Sequence, residues 1–521
     1  MKNPEKYKIL WVDDEIHLLK PHILFLESKG YEVLTATNGV DALEIVRSQY
    51  LRAVLLDEMM DGLDGLAVLE KIKSLRPALP VIMITKNEEE SLMEDAIGRK
   101  ISDYLTKPIN PSQILLALKK NLDSRDIARE TITQQYMSEF SRLNDRINEN
   151  NTSLRFWASL HAELCRWEVE FDDNPQIDLK NILMDQITEA NTQFEKQVIA
   201  NYENWINGES DIPLSHQVLD TYALPLLKEN QKVLLLVVDC MRFDQWLMMA
   251  PVLYNRFDEL LRYHAGILPT ATPYSRNALF AGELPDVIHK KYPDLYSDPD
   301  SEESMNRYEK DLISDYLISR GIHDKVNSKF LKISQSQQGD QVAAHFSDYS
   351  GIQFLSLVVN FVDILAHRRS ESDILQEIVP NETSYRRIVR NWFQHSYLYT
   401  ILEKAADLNY TVIVTSDHGS RKVLRGSMVK ADKETTTSIR YKVGRNLKVS
   451  DKQALLIKDP SRFHLPSTQV FTNYIFARSD YFFLYPNNQR KFEKIYPDTF
   501  QHGGISLHEM ILPVAILSAR K

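Results

Sequence analysis

Three aspartates and three histidines in the C-terminal part of the chain have the residue types of a metal site that acts on phosphate. Carboxylate and imidazole groups are borderline ligands that suit Zn²⁺. Two metal ions about 4 Å apart can hold both the attacking and the leaving oxygen of an in-line displacement. The six residues lie in four motifs: Val237-Val238-Asp239, Asp363-Ile364-Leu365-Ala366-His367, Ser416-Asp417-His418-Gly419 and His502-Gly503-Gly504-Ile505-Ser506.

A threonine hydroxyl accompanies these ligands in the stretch Pro269-Thr270-Ala271-Thr272-Pro273. A threonine is a poor nucleophile at neutral pH until a metal lowers the pKa of its hydroxyl. The two prolines predict a turn that leads into a helix, so Thr272 would lie at a helix N-terminus, where backbone N–H groups and the helix dipole favour phosphate. We prefer Thr272 to Thr270 because of its spacing to Arg276. Arg276 either contacts a phosphoryl oxygen or pairs with a local acid.

The aspartates follow three apolar runs that have the pattern of buried strands. The runs are KVLLLVVD, which ends at Asp239, QFLSLVVNFVD, which ends at Asp363, and YTVIVTSD, which ends at Asp417. Strands of this kind indicate an α/β sheet with its site along the carboxyl edge. A single aspartate after a strand is more often a helix cap. Capping does not explain three aspartates that are accompanied by histidines at fixed offsets.

Five apolar runs in residues 1–123 alternate with helical patterns and predict a doubly wound parallel sheet. The runs are KILWVDD, EVLTATN, AVLLD, PVIMIT and DYLTKP. Asp13 and Asp14 close the first run, and Asp57 closes the third. Clustered carboxylates repel each other and favour the binding of a hard divalent cation such as Mg²⁺. We therefore expect a second, separate acidic site in this part of the chain.

Residues 124–206 show helical periodicity without strand signals. Apolar residues recur every three or four positions in three segments, which are separated by polar breaks at 148–151 and 172–175. This pattern predicts three amphipathic helices in a bundle, with the aromatic stripe as its core. The sequence has no helix-turn-helix pattern and no strongly basic recognition helix, so it does not support a DNA-binding output.

The overall composition narrows the class of protein. The chain has 521 residues and a net charge of −10, which argues against general nucleic-acid coating. We find no signal peptide and no apolar run long enough to cross a bilayer, and two cysteines favour a reducing compartment, so we expect a cytoplasmic protein. Residues 421–448 hold nine Lys or Arg against two acids and form either a solvated loop or a cationic rim for an anionic ligand.

The N-terminal residues resemble the receiver domain of bacterial response regulators. Thr85 ends the fourth apolar run and Lys107 the fifth, and a hydroxyl and an ammonium group beside the acids suit a transferred phosphoryl group. The resemblance implies that Asp57 is the phosphoacceptor, that Lys107 binds the phosphoryl oxygens, and that Thr85 and Tyr104 form the switch pair. It also implies a Mg²⁺ site, with Asp14 as the main ligand, at Asp13, Asp14, Asp57 and Met59.

The C-terminal motifs, taken in order, resemble the PglZ family of the alkaline phosphatase superfamily. The Asp417-His418-Gly419 triplet and the Asp363-x-x-x-His367 spacing look like those of nucleotide phosphodiesterases in that superfamily. The resemblance implies a phosphodiesterase with two Zn²⁺ ions and Thr272 as nucleophile. One ion would be surrounded by Asp239, Thr272, Asp417 and His418, and the other by Asp363, His367 and His502.

The order of the parts resembles the PorX type of response regulator: a flavodoxin-like receiver at 1–123, a three-helix bundle linker at 124–206 and an alkaline-phosphatase-like α/β effector at 207–521. This resemblance implies a sensor histidine kinase as partner, a phosphorylation-dependent homodimer, and regulation of type IX secretion, through a partner such as a sigma factor. We expect a phosphodiester substrate, such as a cyclic or short oligonucleotide, because the basic segment could hold a second phosphate. The alternative is a non-catalytic, metal-binding signalling scaffold that acts through protein partners.

Overall fold

The chain divides into two compact units, Met1–Ser138 and Glu139–Lys521. Each unit has its own sheet and its own apolar core. No helix in the described part of the chain is long and apolar enough to cross a membrane. The computed structural model describes residues 7–60, 64–77, 79–86, 101–174, 177–296, 305–430, 436, 438–467, 471–485, 492–493 and 495–520.

The first unit is built on a sheet of five parallel strands. Alternate residues of a strand face opposite sides of the sheet, and here both sides are covered: Leu55 packs in a cluster with Leu118, and Leu56 in a cluster with Val68. This confirms the predicted doubly wound parallel sheet. The strands are β1 Tyr7–Val12, β2 Tyr31–Ala36, β3 Ala53–Asp57, β4 Val81–Thr85 and β5 Asp103–Thr106, paired in the order β2-β1-β3-β4-β5, and the helices are α1 Lys20–Ser28, α2 Gly39–Ser48 and α3 Gly65–Leu75.

Three long helices follow: α4 Pro111–Asn148, α5 Leu154–Asp173 and α6 Ile177–Asn204. The boundary expected between residues 123 and 124 lies inside α4. The polar breaks predicted at 148–151 and 172–175 fall at helix ends, because α4 ends at Asn148 and α5 ends at Asp173. Ser153 caps α5, because its Oγ accepts a hydrogen bond from the backbone N–H of Phe156 at 3.0 Å.

The end of α4 packs against the other two helices. Trp167 of α5 donates its indole N–H to Glu139 at 3.2 Å, and Gln186 of α6 donates to the Phe140 carbonyl at 3.2 Å. Most residues of the apolar stripes that gave the helical periodicity are buried, among them Tyr136, Trp157 and Phe194. A helical bundle was therefore correctly predicted.

A six-stranded mixed sheet organises the second unit. Its strands are β6 Val233–Val238, β7 Phe257–Ala265, β8 Ser328–Ile333, β9 Phe354–Val359, β10 Thr411–Thr415 and β18 Ile511–Ala519. They are paired in the order β7-β18-β10-β6-β9-β8, with β18 antiparallel to both of its neighbours and the other pairs parallel. Every residue of β6 and β9 is buried, as expected for central strands with both faces covered.

Smaller elements surround this sheet. A helix at Thr272–Ala281 stops at Gly282, whose φ of 62° is left-handed and whose added Cβ would lie 2.7 Å from the Tyr316 ring. The helices are α7 Leu224–Lys228, α8 Phe243–Met249, α9 Thr272–Ala281, α10 Pro285–Lys291, α11 Glu309–Ser319, α12 Ser336–Ala344, α13 Phe361–Glu371, α14 Asp373–Ile378, α15 Glu382–Gln394, α16 Tyr397–Asp407 and α17 Leu507–Met510. The strands are β11 Arg421–Val423, β12 Arg425–Met428, β13 Tyr441–Gly444, β14 Ala454–Ile457, β15 Asn473–Ala477, β16 Tyr481–Leu484 and β17 Thr499–Gln501.

Candidate active site

Asp239, Asp417 and His418 form one cluster at the carboxyl edge of the large sheet. Asp239 directly follows β6 and Asp417 follows β10, and because these strands are parallel neighbours their side chains meet at one edge. One ligand atom of each residue lies within 4.8 Å of the others. His418 Nε2 is 3.6 Å from Asp239 Oδ1 and 3.7 Å from Asp417 Oδ2. Both separations are too long for hydrogen bonds.

Asp363, His367 and His502 form a second cluster. The predicted strand is shorter than expected: β9 ends at Val359, and Asp363 lies in the first turn of α13. Helical spacing therefore places Asp363 and His367 on one helix face, with His367 Nε2 3.3 Å from Asp363 Oδ1. His502 Nε2 is 3.4 Å from His367 Nε2 and 3.8 Å from Asp363 Oδ1.

The two clusters adjoin each other, because the rings of His418 and His502 stack with centroids 4.3 Å apart. Burial raises the pKa of Asp239 to about 8 in spite of Arg276, and the nearby charge of Asp417 adds to the shift. Burial also raises the pKa of Asp417. Burial alone would raise the pKa of Asp363, but its interactions with His367, His502 and His418 together outweigh burial and lower that pKa. Buried carboxylates at this density favour a bound cation.

Thr272 is the first residue of α9, as the two prolines predicted, and its Oγ1 lies 3.0 Å from His418 Nε2. The other ring nitrogen of His418 is 3.1 Å from the Gly419 carbonyl, which can only accept a hydrogen bond. Nδ1 is therefore the protonated nitrogen, and Nε2 presents its lone pair to the site. Thr270 donates its hydroxyl to the Gly504 carbonyl at 2.7 Å. The fold thus brings Thr272, and not Thr270, to the ligand cluster.

Arg276 pairs with local acids, which is one of the two roles that the sequence left open. Its Nη1 is 2.9 Å from Asp239 Oδ2, and its Nε is 3.0 Å from Glu309 Oε1 and 3.6 Å from Asp417 Oδ2. Glu309 is buried and also pairs with Lys332 at 2.7 Å. Sequence reasoning missed Glu309, because it begins an ordinary amphipathic helix and belongs to no motif.

A buried ion pair shapes the loop that carries His502. Arg440 Nε donates to Glu509 Oε1 at 3.0 Å, and Glu509 also accepts from the backbone N–H of Gly504 at 2.8 Å and of Ser506 at 3.1 Å. Gly504 is required beside this pair, because a Cβ there would lie 2.3 Å from Arg440 Nη2. The loop is therefore held from the inside by a charge-assisted network.

Replacing Glu509 by glutamine is expected to destabilise the second unit by about 2–3 kcal/mol, because Arg440 would stay fully buried without a counter-charge. Urea unfolding followed by tryptophan fluorescence measures the change. The exposed Glu229, replaced in the same way, is the control and should change stability by less than about 0.5 kcal/mol. Equal unfolding midpoints for the two variants would contradict the assigned role of Glu509.

Three of the described cations of the basic segment pair with acids. Arg440 is fully buried against Glu509. Lys422 Nζ is 2.5 Å from Asp498 Oδ1, and Arg425 Nε donates to Asp480 at 2.6 Å. Residues 431–435 and 437 of this segment lie outside the described residues. These pairings give no support to the reading of the segment as a cationic rim.

The donor atoms fit divalent metal ions. In a tetrahedral site with ligand atoms about 2.0–2.1 Å from the ion, neighbouring ligand atoms lie about 3.3–3.5 Å apart. The three separations in the second cluster, 3.3, 3.4 and 3.8 Å, are close to this. Buried carboxylate oxygens normally have hydrogen-bond partners. Three buried oxygens have none among the described residues: Asp239 Oδ1, Asp363 Oδ1 and Asp417 Oδ2.

The first unit carries its own acidic site at the carboxyl edge of its sheet. One ligand atom each of Asp13, Asp14 and Asp57 lies within 4.8 Å of the others. Lys107 Nζ is 3.2 Å from Asp13 Oδ2 and 3.0 Å from Asp57 Oδ2. Burial raises the pKa of Asp57, although Lys107 opposes the shift. The site thus combines a cation-binding cluster with a lysine that contacts Asp57.

The other three predicted receiver residues lie around this edge. Thr85 is the last residue of β4, and Tyr104 belongs to β5, with 41% of its surface exposed. Met59 comes two residues after the end of β3, and its side chain is exposed. The side chains of Tyr104 and Met59 therefore both face solvent in this conformation.

Three family models match consecutive parts of the chain. The response regulator receiver domain matches residues 9–119, the PorX response regulator linker domain matches residues 126–206, and the BREX system PglZ alkaline phosphatase-like domain matches residues 218–517. Receiver domains are phosphorylated by histidine kinases and generally bind Mg²⁺, and alkaline phosphatase-like domains are metal-using members of a phosphohydrolase superfamily.

Relatives among known proteins match the receiver part. A transcriptional regulatory protein ZraR of Klebsiella oxytoca is 31% identical over 27% of this chain and 32% of its own length. The alkaline phosphatase synthesis transcriptional regulatory protein PhoP of Bacillus subtilis is 32% identical over 23% of this chain and 50% of its own length. The chain thus spans at most half the length of these two relatives.

A solved receiver structure is similar to part of the chain. The CheY-like receiver domain protein of Methanospirillum hungatei is 28% identical, covers 24% of this chain and 98% of its own chain, and gives a TM-score of 0.23.

The PglZ match alone spans more than half of the residues, and the three domain matches follow one another without overlap. The chain therefore belongs to the PglZ alkaline phosphatase-like family, in the receiver–linker–PglZ arrangement of PorX-type response regulators.

Proposed function

We propose that the chain is a two-component response regulator that is phosphorylated on Asp57 and whose effector is a zinc-dependent phosphodiesterase. The observation that supports this most strongly is the hydroxyl of Thr272, which lies at a helix N-terminus 3.0 Å from His418 and beside two adjoining ligand clusters. The proposed division is a receiver at 1–123, a linker at 124–206 and the effector at 207–521.

Seven side chains would hold the two zinc ions. When bound, the ions would supply the positive charge that lowers the pKa of the Thr272 hydroxyl and neutralises the phosphate. Arg276 binds the second carboxylate oxygen of Asp239 and so fixes the orientation of that ligand. One ion would be held by Asp239, Thr272, Asp417 and His418, and the other by Asp363, His367 and His502.

The residues of the chain support a two-step displacement. The oxygen of Thr272 attacks phosphorus in line with the leaving oxygen, forms a phosphothreonine and releases an alcohol. The backbone N–H groups at the start of α9 favour the phosphoryl charge at this position. Water then attacks the same phosphorus and restores the threonine. Burial lowers the pKa of His418, so its imidazole stays neutral and keeps Nε2 directed at the site.

We propose a phosphodiester, such as a cyclic or short oligonucleotide, as the substrate class. The support comes from the Asp417-His418-Gly419 and Asp363-x-x-x-His367 motifs, which are similar to those of nucleotide phosphodiesterases. The basic segment adds little to this, because three of its described cations, Lys422, Arg425 and Arg440, pair with acids.

Hydrolysis of a chromogenic phosphodiester and of its monoester by the zinc-loaded chain tests the proposal. We expect the diester to be hydrolysed with the higher kcat/KM and the activity to disappear when a chelator removes the metal. Turnover of the monoester alone would overturn the diesterase assignment. Metal binding without turnover of either substrate would favour the non-catalytic scaffold, in which the effector acts through protein partners.

The receiver is proposed to take its phosphoryl group on Asp57 from a sensor histidine kinase. Asp57→Asn is expected to reduce incorporation of acid-labile phosphate from a small-molecule phosphodonor to background, because an amide cannot form the acyl phosphate. Asp103→Asn is the matched control, since Asp103 lies in the same domain and pairs with Lys120. Phosphate-affinity gel electrophoresis measures the modified fraction. Equal labelling of Asp57→Asn and the unmodified chain would place the acceptor elsewhere.

Phosphorylation of the receiver is proposed to control what the protein does in the cell. Phosphorylation would move Thr85 and Tyr104, change the receiver surface and favour a homodimer. The regulated process would be type IX secretion, with a sigma factor as one candidate partner and the cytoplasm as the compartment. Mg²⁺ at Asp13, Asp14, Asp57 and Met59 would support the phosphoryl transfer.

A further inference from the structure

A cluster of sulfur, imidazole and carboxylate groups lies outside the candidate active site. It consists of His161, Cys165 and Glu168 of α5 together with His508 of α17, and we call it the α5–α17 cluster. Ligand atoms of His161, Cys165 and His508 lie within 4.8 Å of one another. All four side chains are buried, with at most 3% of each residue exposed. None of them belongs to the motifs that define the effector.

His508 is the unusual member of this cluster. Neither of its ring nitrogens has a hydrogen-bond partner among the described residues, and the same holds for Oε2 of Glu168. A buried imidazole without partners costs about 1–3 kcal/mol for each unsatisfied group. His508 Nε2 and Glu168 Oε2 are 3.7 Å apart, which is too long for a hydrogen bond. His508 and one oxygen of Glu168 are thus buried side by side without satisfying each other.

The spacing of the cluster suits a metal ion. His161 and Cys165 are four residues apart on one helix, so both reach the same point, as pairs of helical metal ligands do. Cys165 Sγ is 3.5 Å from His161 Nε2. A thiolate about 2.3 Å and an imidazole nitrogen about 2.0 Å from one tetrahedral ion lie about 3.5 Å apart.

The two histidines of the cluster resemble the histidine pair of the candidate active site. The rings of His161 and His508 have centroids 4.9 Å apart and planes at 75°. The rings of His367 and His502 have centroids 5.5 Å apart and planes at 85°. Both pairs meet edge to face, and each pair presents ring nitrogens to a shared space.

We propose that the α5–α17 cluster binds a divalent transition-metal ion of the zinc class through Cys165 Sγ, His161 and His508. Glu168 Oε2 is the carboxylate oxygen near His508 Nε2. Carboxylates in this position orient a metal-bound imidazole through the ring nitrogen that does not bind the metal. Thiolate and imidazole ligands select zinc-class ions over Mg²⁺ and Ca²⁺. This ion would be additional to those of the effector site and would lie in a fully buried position.

The α5–α17 cluster lies between a linker helix and the segment that supports the candidate active site. Helix α5 belongs to the linker region, whereas α17 follows the His502 loop. The backbone of α17 packs directly on the Asp417-His418-Gly419 motif, because a Cβ on Gly419 would lie 1.9 Å from the His508 carbonyl oxygen. A metal ion at this place would therefore clamp a linker helix to the segment that supports the candidate active site.

Cobalt substitution tests the proposal without an activity assay. The full chain is produced in cobalt-supplemented medium, so that the ion is available while the chain folds. Only a sulfur ligand gives the intense thiolate-to-cobalt charge-transfer band in the near ultraviolet. The chain has two cysteines, Cys165 and Cys240, and the candidate active site would use none of them as a ligand. We expect the band in the unmodified chain and in Cys240→Ser, and its loss in Cys165→Ser.

Elemental analysis of the same preparations gives the second readout. Cobalt per chain is expected to fall by one ion in Cys165→Ser and in His508→Asn, and to stay unchanged in Cys240→Ser. Circular dichroism checks that each variant is folded, and His508→Asn covers the case in which Cys165→Ser is not. Absence of the band from the folded, cobalt-loaded chain would overturn the proposal. Its loss in Cys240→Ser with retention in Cys165→Ser would overturn it as well.

Discussion

Thr272→Val is expected to reduce kcat/KM for a chromogenic phosphodiester by about 10³-fold or more, because it removes the proposed nucleophile and leaves a side chain of the same shape. Thr272 is only 3% exposed, so valine fills the same space without a cavity. Steady-state kinetics of zinc-loaded protein, together with the zinc content of both proteins, measures the loss and its cause. A retained metal content with lost turnover would identify the hydroxyl as the reacting group.

Thr270→Val is the matched control, because it makes the same chemical change two residues earlier. The Thr270 hydroxyl donates to the Gly504 carbonyl, so its loss is expected to cost about 1 kcal/mol of stability and less than about tenfold in kcat/KM. Equal activity of Thr272→Val and the unmodified chain would rule out Thr272 as nucleophile. A large loss in Thr270→Val alone would move the role to that residue.

Arg386→Met is expected to destabilise the second unit by about 3–5 kcal/mol, because it leaves three buried carboxylates without their shared cation. Arg386 of α15 is 2.6 Å from Asp172, 3.1 Å from Glu168 and 2.8 Å from Asp244. The first two acids belong to α5 and the third to α8, so one guanidinium joins the linker helix to the effector. Arg390→Met, one turn later on the same helix and partly exposed, is the control.

Urea unfolding followed by tryptophan fluorescence measures this effect, since five of the six tryptophans lie in the second unit. Burial alone would raise the pKa of Asp172 and Asp244, but Arg386 and Arg242 outweigh it and lower both pKa values. A lowered folded-state pKa stabilises above the unfolded value of about 4, and the gain is lost as the pH falls below it. The unmodified chain should therefore lose stability in acid more steeply than Arg386→Met, and parallel profiles would contradict this account.

Much of the fold could be predicted from local pattern. The run KVLLLVVD became β6 followed by Asp239, and the five N-terminal runs became one parallel sheet. These predictions succeed because a strand buried on both faces must be continuously apolar. The prediction for QFLSLVVNFVD was wrong at its end, where Asp363 lies in a helix. An apolar run that passes from strand to helix has no local signal at the boundary.

The supporting residues of the site could not be predicted in the same way. Glu309 and Arg440 lie far from the motifs in sequence and reach Arg276 and Glu509 only through the tertiary fold. An isolated acid or arginine has no pattern that distinguishes a buried ion pair from an exposed side chain. The residues of the α5–α17 cluster give no sequence signal for a related reason, since three of them belong to an amphipathic helix and His508 lies outside the motifs.

The strand order of the large sheet has a consequence for biosynthesis. Strand β7 joins the sheet through β18, and His502 precedes β18 in a chain that the ribosome delivers from the N-terminus. At about 5–20 residues per second, the interval between Asp239 and His502 is on the order of tens of seconds. Until β18 has been synthesised, β7 has no neighbour in the sheet, because β18 is the strand that joins it to β10 and, through β10, to β6. The nascent unit therefore cannot complete its large sheet or bring His502 to Asp363 and His367 until this last segment has been synthesised.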